Sequence, residues 1–164
     1  SNIGSGPYIT YATIGKMVDM GIKDANNMGA AMAPAAIDTI QTHFKDTGFS
    51  PDYYDLIVTG DLGIVGKTIC EQILNEYGYN VSDRFNDCGL MIFDREKQDV
   101  HAGASGCGCS ATVFAGYIYK ELVKGNLNRV LLISTGALLS STSAQQNESI
   151  PSIAHAVTIS NSLV

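Results

Sequence analysis

The stretch Asp99–Ala111, DVHAGASGCGCSA, says more about the fold than any other part of this chain. Its three glycines and their small neighbours let the backbone turn sharply and pass close to another segment. The residues that follow, 112–124, predict a helix, because apolar side chains recur with a period of about 3.6 residues. These side chains are Val113, Phe114, Tyr117, Ile118 and Leu122. A helix that begins after such a turn favours an anion at its start, since its unpaired N–H groups and its dipole both point there.

The size and charge of the chain limit the class of protein. With 164 residues, 45% of them hydrophobic, the chain can bury the core of one compact domain. Its formal net charge of −6, without a cluster of Lys or Arg, argues against nucleic acid as a partner, because neutralising phosphates needs grouped basic side chains. No apolar run approaches the roughly 20 residues that span a bilayer, so the sequence predicts no transmembrane segment.

The first residues and the cysteines add two expectations. The chain opens Ser1-Asn2 without an initiator Met, which is typical of a cleaved tag. We therefore interpret residues 1–6 as a tag remnant or linker and residues 7–164 as a domain cut from something longer. The four cysteines lie at helix-core or glycine-flanked positions and lack the spacing of a secreted disulfide framework, which predicts a reducing compartment.

The first half of the chain alternates strand and helix patterns. Tyr8–Gly21 is rich in β-branched and aromatic residues and predicts a strand. Asn26-Asn27 can cap a helix that ends at Thr47-Gly48, and Pro34 places its effective start nearby, because proline fits only the first turn. Leu56–Thr59 predicts a strand buried on both faces. A second helix is predicted after that strand, with four residues facing inward: Val65, Ile69, Ile73 and Tyr77.

The second half predicts one more helix and a final hairpin. Asp83–Lys97 is polar and irregular, with a short edge strand over Leu90–Phe93. After the glycine-rich stretch and its helix, strands are predicted over 129–134 and Ile153–Ile159, separated by the polar loop Gly136–Pro151. The resulting order, β-α-β-α-α-β-β, predicts an α/β fold in which helices pack on a mixed β-sheet.

Five segments carry a resemblance to a known family. They are VHAGASGCGCSA (100–111), STGALLS (134–140), IPSIAHAVTI (150–159), GAAMAPAAIDTI (29–40) and DLIVTGDLG (55–63). The order of elements, with a Gly/Ser-rich turn before the third helix and a final β-hairpin, resembles the C-terminal half of a thiolase-fold protein. More narrowly, the segments resemble the stage V sporulation protein AD family, from about Pro7 to Ile159.

That family is similar to ketoacyl synthases of the third type and is implicated in the binding and uptake of dipicolinic acid (pyridine-2,6-dicarboxylate) into the developing spore. The resemblance therefore implies a thiolase-like half-domain, a ligand of this class, and a role in sporulation and germination. It also implies several partners: the N-terminal half of the same protein, a second copy in a homo-oligomer, and the other membrane proteins of the stage V sporulation A operon. The implied location is peripheral, on the cytoplasmic face of the spore inner membrane.

The resemblance also sets an expectation about chemistry. Thiolase-fold condensing enzymes carry a Cys nucleophile in the N-terminal half, and two residues of the C-terminal half bind the thioester carbonyl: a His after the second strand and a His or Asn in the Gly-rich turn. Here Gly60-Asp61 stands at the first position, and the second falls near His101 or Ala104. Because a carboxylate would repel an oxyanion, we expect a non-enzymatic binding protein without catalytic residues, cofactor or metal ligands. The alternatives are an acyl-thioester condensing enzyme and a purely structural scaffold.

The expected binding site joins the glycine-rich turn to the corner after the second strand. Its members are Gly60, Asp61, His101, Gly103, Ser105, Gly106 and Cys107. We expect the ligand to meet free N–H groups, hydroxyls and an apolar wall there. A calcium ion bound between the ligand and Asp61 is an alternative arrangement at this site.

Some residues have a second interpretation. Asp61 can cap the helix that follows it, and the cap is favoured over a ligand contact. Cys107 and Cys109 can bind a metal with Cys88 and His101, but small buried thiols are favoured. His155 shares a strand face with apolar residues and predicts a hydrogen-bonded core histidine, whereas His43 predicts a solvated side chain.

Overall fold

The computed structural model describes residue 4, residues 6–104 and residues 106–163. Residues 1–3 and 5 of the expected tag remnant, Ser105 of the expected site and residue 164 lie outside the described residues. In chain order the elements are β1 (Tyr8–Ile14), α1 (Met28–Thr47), a 3-10 turn (Pro51–Tyr53), β2 (Leu56–Thr59), α2 (Gly63–Glu76), β3 (Phe85–Asp87), α3 (Cys88–Met91), α4 (Cys109–Val113), a π-helical turn (Phe114–Ile118), α5 (Tyr119–Lys124), β4 (Arg129–Ala137), α6 (Ser141–Gln145) and β5 (Ser152–Ser160). No helix among the described residues is long and apolar enough to cross a membrane.

The strands form one mixed sheet with the order β1-β5-β4-β2-β3. β2 runs parallel to β3 and β4, whereas β5 is antiparallel to both β4 and β1. The predicted α/β class, with helices on a mixed sheet and a final hairpin, is confirmed. The short strand β2 is buried on both faces as predicted: Ile57 packs into the core under α1 and α2, and Val58 packs into the core under α4 and α5.

Helix α1 begins earlier than its proline suggests. Asn27 caps it, as predicted, by accepting a hydrogen bond from the N–H of Ala30 at 3.2 Å. The predicted start near Pro34 is wrong, because the first helical residue is Met28 and Pro34 lies in the second turn. Proline has no N–H for the carbonyl of Ala30, so the cap and the packing of the first turn on α2 hold this end in place. The predicted end is confirmed, with Gly48 in the left-handed region (φ 72).

Glycines let α1 and α2 pack closely at their amino-terminal turns. A Cβ on Gly66 would lie 2.6 Å from the carbonyl oxygen of Gly29, and a Cβ on Gly29 would collide with the carbonyl oxygen of Leu62. This contact decides which face of α2 is buried: the prediction that Val65 and Tyr77 face inward is wrong, because they are 40% and 65% exposed. The other two predicted inward residues, Ile69 and Ile73, are half-buried. The residues of α2 that are buried are Gly63, Gly66, Cys70 and Leu74. The large apolar side chains of α2 do not lie at the centre of its buried face, because the close approach of α1 and α2 requires small residues there.

The helix predicted over 112–124 begins at Cys109 and contains the π-helical turn. Val113, Ile118 and Leu122 are buried against the sheet as predicted, and Phe114 is half-buried. Tyr117 is exposed, so its predicted inward position is wrong. The π turn adds a residue to the helical repeat and rotates this side chain out of the buried stripe.

Three other segments differ from their predicted structure. β1 ends at Ile14 instead of continuing to Gly21. Within residues 15–21 the chain pairs with the sheet at one isolated bridge, between Val18 and Ser152. The predicted edge strand over Leu90–Phe93 is wrong, because the region contains β3 followed by α3, whose start is capped by the Asp87 side chain. The predicted loop Gly136–Pro151 contains the last residues of β4 and the short helix α6, which a Ser140–Ser143 capping box begins.

The two histidines outside the expected site exchange their predicted environments. His43, predicted to be solvated, is fully buried, with Nδ1 2.8 Å from the Thr13 hydroxyl and Nε2 2.5 Å from the Tyr54 hydroxyl. Burial lowers the pKa of His43, with the opposing charge of Asp46 as a smaller effect. His155, predicted to lie in the core, is exposed, because its neighbours on either side form the face of β5 that packs on α1.

Candidate functional site

A buried carboxylate, Asp87, connects the elements at the carboxyl end of the sheet. Its Oδ2 accepts hydrogen bonds from the Thr59 hydroxyl at 2.7 Å and from the N–H of Leu62 at 2.8 Å. Its Oδ1 accepts from the N–H groups of Gly63 and Gly89, each at 2.9 Å. Burial raises the pKa of Asp87, and these four donors oppose the rise. One side chain thus holds the ends of β2 and β3 against the starts of α2 and α3.

These bonds occupy the N–H groups at the start of α2. Leu62 and Gly63 donate to Asp87, and the N–H of Ile64 donates to the carbonyl oxygen of Ala102 at 2.8 Å. The expectation of free N–H groups at this corner is therefore wrong for these residues, because acceptors of the protein itself satisfy the helix start. An anion could bind to these N–H groups only by displacing the carboxylate of Asp87 or the carbonyl oxygen of Ala102.

The glycine-rich segment passes between α2 and α3 in close backbone contact. A Cβ on Gly63 (φ 62) would lie 2.6 Å from the carbonyl oxygen of Ala102, and a Cβ on Gly103 (φ 107) would lie 2.7 Å from the carbonyl oxygen of Gly89. The N–H of Ala104 donates to the same Gly89 carbonyl at 2.8 Å. The expectation that a larger side chain would block a close backbone approach is therefore confirmed for Gly103. It is wrong for the other two glycines of the segment, Gly106 and Gly108, because no described residue other than their chain neighbours lies within 4 Å of a Cβ there.

Asp61 connects the next part of the segment to the sheet. Its Oδ2 accepts a hydrogen bond from the N–H of Gly106 at 3.0 Å, and its Oδ1 accepts one from the Thr135 hydroxyl at 2.7 Å. The side chain is 9% exposed. The favoured interpretation of Asp61 as a helix cap is wrong, because Asp87 makes the hydrogen bonds to the start of α2.

A cavity of about 520 Å³ opens where the glycine-rich segment meets the starts of α1 and α2. Three of the expected site residues line it: Asp61, His101 and Gly103. The start of α1, residues 26–29, forms the opposite wall, and apolar side chains close the sides, among them Leu62, Val65 and Val100. The structure therefore brings the glycine-rich turn and the corner after β2 to one cavity.

The other expected residues lie outside this cavity. Gly60 is buried and does not line the cavity, and a Cβ there would lie 3.2 Å from the Thr135 hydroxyl. Gly106 is held by Asp61, and Cys107 is exposed at the turn before α4. Ser105 is not among the described residues. We therefore retain Asp61, His101 and Gly103 as the core of the candidate site.

His101 stands at the edge of the cavity in an uncommon backbone conformation. Its φ of 44° lies in the left-handed region, which residues other than glycine rarely adopt. Such a conformation costs on the order of 1–3 kcal/mol and persists where surrounding contacts hold it. The side chain is 90% exposed, with Nδ1 3.4 Å from a carboxylate oxygen of Asp99. The ring is therefore free to meet a ligand.

Two buried thiols lie near the carboxylates of the site. Burial, with the charge of Asp87 as a further cause, raises the pKa of Cys88 to about 12 and that of Cys109 to about 11. Both groups are therefore protonated at neutral pH and are poor nucleophiles. The prediction of a small buried cysteine is confirmed for Cys109 and wrong for Cys107, which is exposed. Among the described residues, no three His, Cys, Asp or Glu side chains are grouped to hold a metal ion.

Sequence reasoning missed two parts of the site, Asp87 and the start of α1. A local signal for Asp87 exists, because an Asp before a short helix is typical of an N-cap. Its bonds to Leu62 and Gly63 join residues that are distant in the sequence, and no local pattern predicts them. The start of α1 reaches the cavity because Gly29 allows the close contact with α2.

Comparisons with known proteins identify related sequences. A model of the family described as stage V sporulation protein AD matches residues 1–160. A curated relative with this description, from Bacillus subtilis (strain 168), is 56% identical over 149 residues, which are 91% of this chain and 44% of the relative. The chain thus spans less than half the length of that relative. A solved structure, 3-oxoacyl-[acyl-carrier-protein] synthase III from Aquifex aeolicus VF5, is similar with a TM-score of 0.45 and 12% identity, over 94% of this chain and 53% of that one.

Proposed function

The chain belongs to the stage V sporulation protein AD family, and from this premise we propose that it is part of a non-enzymatic binding protein for dipicolinic acid, which takes part in uptake of this acid into the developing spore. The observation that carries the proposal is the convergence of Asp61, His101 and Gly103 on a cavity of about 520 Å³. Ligand pockets in proteins have volumes of about 300–1,000 Å³, so the cavity has room for a small aromatic dicarboxylate.

The lining of the cavity suits a ring with polar edges. Met28, Val65 and Val100 offer an apolar wall to the pyridine ring. The amide of Asn26 and the ring of His101 offer hydrogen-bond donors to the carboxylates. Among the described residues that line the cavity, His101 alone can carry a positive charge, so it is our candidate for the charge-assisted hydrogen bond.

The two carboxylates of the site support binding over catalysis. In the enzymes that the chain resembles, a His after the second strand binds the thioester carbonyl, whereas here Asp61 follows that strand and accepts from Thr135 and Gly106. The nearest helix-start N–H groups donate to Asp87. An oxyanion would therefore meet acceptors where it needs donors, and losing one such donor costs about 10²–10³ in rate.

The family also supports a setting for this binding. We place the full-length protein peripherally on the cytoplasmic face of the spore inner membrane, with the other membrane proteins of the stage V sporulation A operon as partners. The remainder of the full-length chain and a second copy would complete the assembly. Dipicolinate and its calcium chelate are both ligands to be tested.

Calorimetry on the full-length protein tests the proposal. Dipicolinate, alone and with calcium, is titrated into the wild type and into variants of the cavity. Val65→Trp places an indole in the cavity from its rim and should abolish binding. Thr68→Trp, at an exposed position of the same helix outside the cavity, is the matched control and should leave the Kd unchanged. His101→Ala should raise the Kd roughly tenfold, for the loss of one charge-assisted hydrogen bond.

Three outcomes would contradict the proposal. The first is the absence of binding by the wild type, and the second is a Val65→Trp variant that binds as well as the wild type. The third is turnover of an acyl thioester by the full-length protein that His101→Ala abolishes, which would establish a condensing enzyme instead.

A further inference from the structure

We propose that Asp61 is a positioning residue: its carboxylate holds the glycine-rich turn in the binding conformation and does not itself contact ligand or cation. The importance of this position for binding rests on the proposed function. The hold on the turn rests on the hydrogen bonds and packing of the described residues, and it can be tested without a ligand.

Asp61 joins three segments that are far apart in the sequence. It lies two residues after the end of β2, Thr135 lies near the end of β4, and Gly106 lies in the turn before α4. Oδ1 accepts from the Thr135 hydroxyl at 2.7 Å, and Oδ2 accepts from the N–H of Gly106 at 3.0 Å. Each carboxylate oxygen therefore already has a protein donor, in a side chain that is almost entirely buried.

The contact with Asp61 ties the turn to the sheet, because the other described anchors lie earlier in the segment or join the turn to α4, where the N–H of Cys109 donates to the carbonyl oxygen of Gly106 at 3.0 Å. Ala102 and Ala104 are held by backbone hydrogen bonds, to Ile64 and to Gly89, both at 2.8 Å. Gly106 has a φ of 144° and is exposed, and no described residue other than its chain neighbours lies within 4 Å of the place where its Cβ would stand. Among the described residues, its hydrogen bond to Asp61 is therefore the contact that joins Gly106 to the sheet.

The geometry also separates the position of this side chain from its charge. An Asn at 61 can accept from the N–H of Gly106 with its carbonyl oxygen and donate from its amide nitrogen to the Thr135 hydroxyl, which can accept as well as donate. Asp61→Asn thus retains both contacts without the charge, whereas Asp61→Ala loses both. A carboxylate that binds a cation, or acts on the ligand through its charge, would be impaired equally by the two substitutions.

Two measurements on the full-length protein test the inference. Hydrogen exchange followed by mass spectrometry reports the order of residues 103–109, and calorimetry reports the Kd for dipicolinate. Asp61→Ala should exchange faster in this turn and bind at least about tenfold more weakly, while Asp61→Asn should resemble the wild type in both. Thr135→Val, which leaves Asp61 with one donor, should lie between them, and Thr135→Ser, which keeps the hydroxyl, is its matched control.

The outcomes separate this inference from the proposed function. An Asp61→Asn variant with wild-type exchange but a Kd as high as that of Asp61→Ala would overturn the inference, since the charge would then act on ligand or cation. Unchanged exchange in Asp61→Ala would overturn it as well. If the wild type fails to bind dipicolinate while exchange follows the expected order, the proposed function is wrong and the positioning role stands. If Asp61→Ala does not fold, Thr135→Val against Thr135→Ser tests the hold on the turn, and Asp61→Asn against the wild type tests the charge.

Discussion

Replacing Asp87 should destabilise the protein in steps that its hydrogen bonds define. Asp87→Ala leaves the buried N–H groups of Leu62, Gly63 and Gly89 without an acceptor. Each such group costs about 1–3 kcal/mol, so the three together cost about 3–9 kcal/mol. Because domains are stable by only about 5–15 kcal/mol, this variant should be close to unfolding under ordinary conditions.

Two milder substitutions set the scale. In Asp87→Asn the carbonyl oxygen can accept from Gly63 and Gly89 while the amide nitrogen donates to the Thr59 hydroxyl, so the N–H of Leu62 alone loses its acceptor. The expected cost is about 1–3 kcal/mol. Thr59→Val removes one donor and leaves both oxygens of Asp87 with partners, which should cost about 1 kcal/mol.

Urea unfolding of the full-length protein at neutral pH, followed by circular dichroism, measures these differences. The midpoints should fall in the order wild type, Thr59→Val, Asp87→Asn and Asp87→Ala, with similar slopes against urea concentration. A midpoint for Asp87→Ala equal to that of the wild type would refute the reasoning, because three buried donors would then have lost their acceptor at no cost. An Asp87→Asn variant less stable than Asp87→Ala would refute it too.

Three further predictions concern the core, a helix contact and the exposed surface. Since burial lowers the pKa of His43, the folded state keeps the ring neutral; the unfolded chain takes up the proton first, so stability should fall as the pH drops below about 6.5. Urea midpoints measured across this pH range should fall as the pH falls, and this pH dependence should be weaker in His43→Leu. An unchanged pH dependence in the variant would mean that another group causes it. Gly66→Ala should destabilise the protein by about 1–3 kcal/mol and lower its melting temperature, because the new Cβ would collide with the carbonyl oxygen of Gly29. Gly116→Ala, where the Cβ would enter open space, should not lower it. Equal effects of the two substitutions would contradict the close contact. Residues 1–164 expressed alone should self-associate through exposed apolar side chains, which include Ile9, Ile14, Tyr117 and Val123. A stable monomer in sedimentation at high concentration that does not bind a hydrophobic dye would contradict this prediction.

The sequence by itself determined the elements that a local pattern defines completely. The apolar run Leu56–Thr59 forms β2 with the predicted bounds, and Gly48 ends α1 because glycine adopts the left-handed conformation easily. The final hairpin forms where two apolar runs flank a polar loop. In each case the sequence signal lies in residues close together in the chain, although the strands themselves pair with residues far away along it. The motifs quoted at the start were also enough to indicate the family.

Only the tertiary structure decided where the polar side chains of the core and the site lie. The alternation along β5 shows that His155 and Ala154 face opposite sides, but not which side α1 covers. His43 is buried because hydroxyls from β1 and from the chain before β2 meet it inside the core. Likewise, apart from the neighbouring Gly89, the donors that define the roles of Asp61 and Asp87 lie 24 to 74 positions away along the chain. A sequence pattern records spacing within one element, whereas burial and hydrogen bonding of these side chains depend on which distant element packs against them.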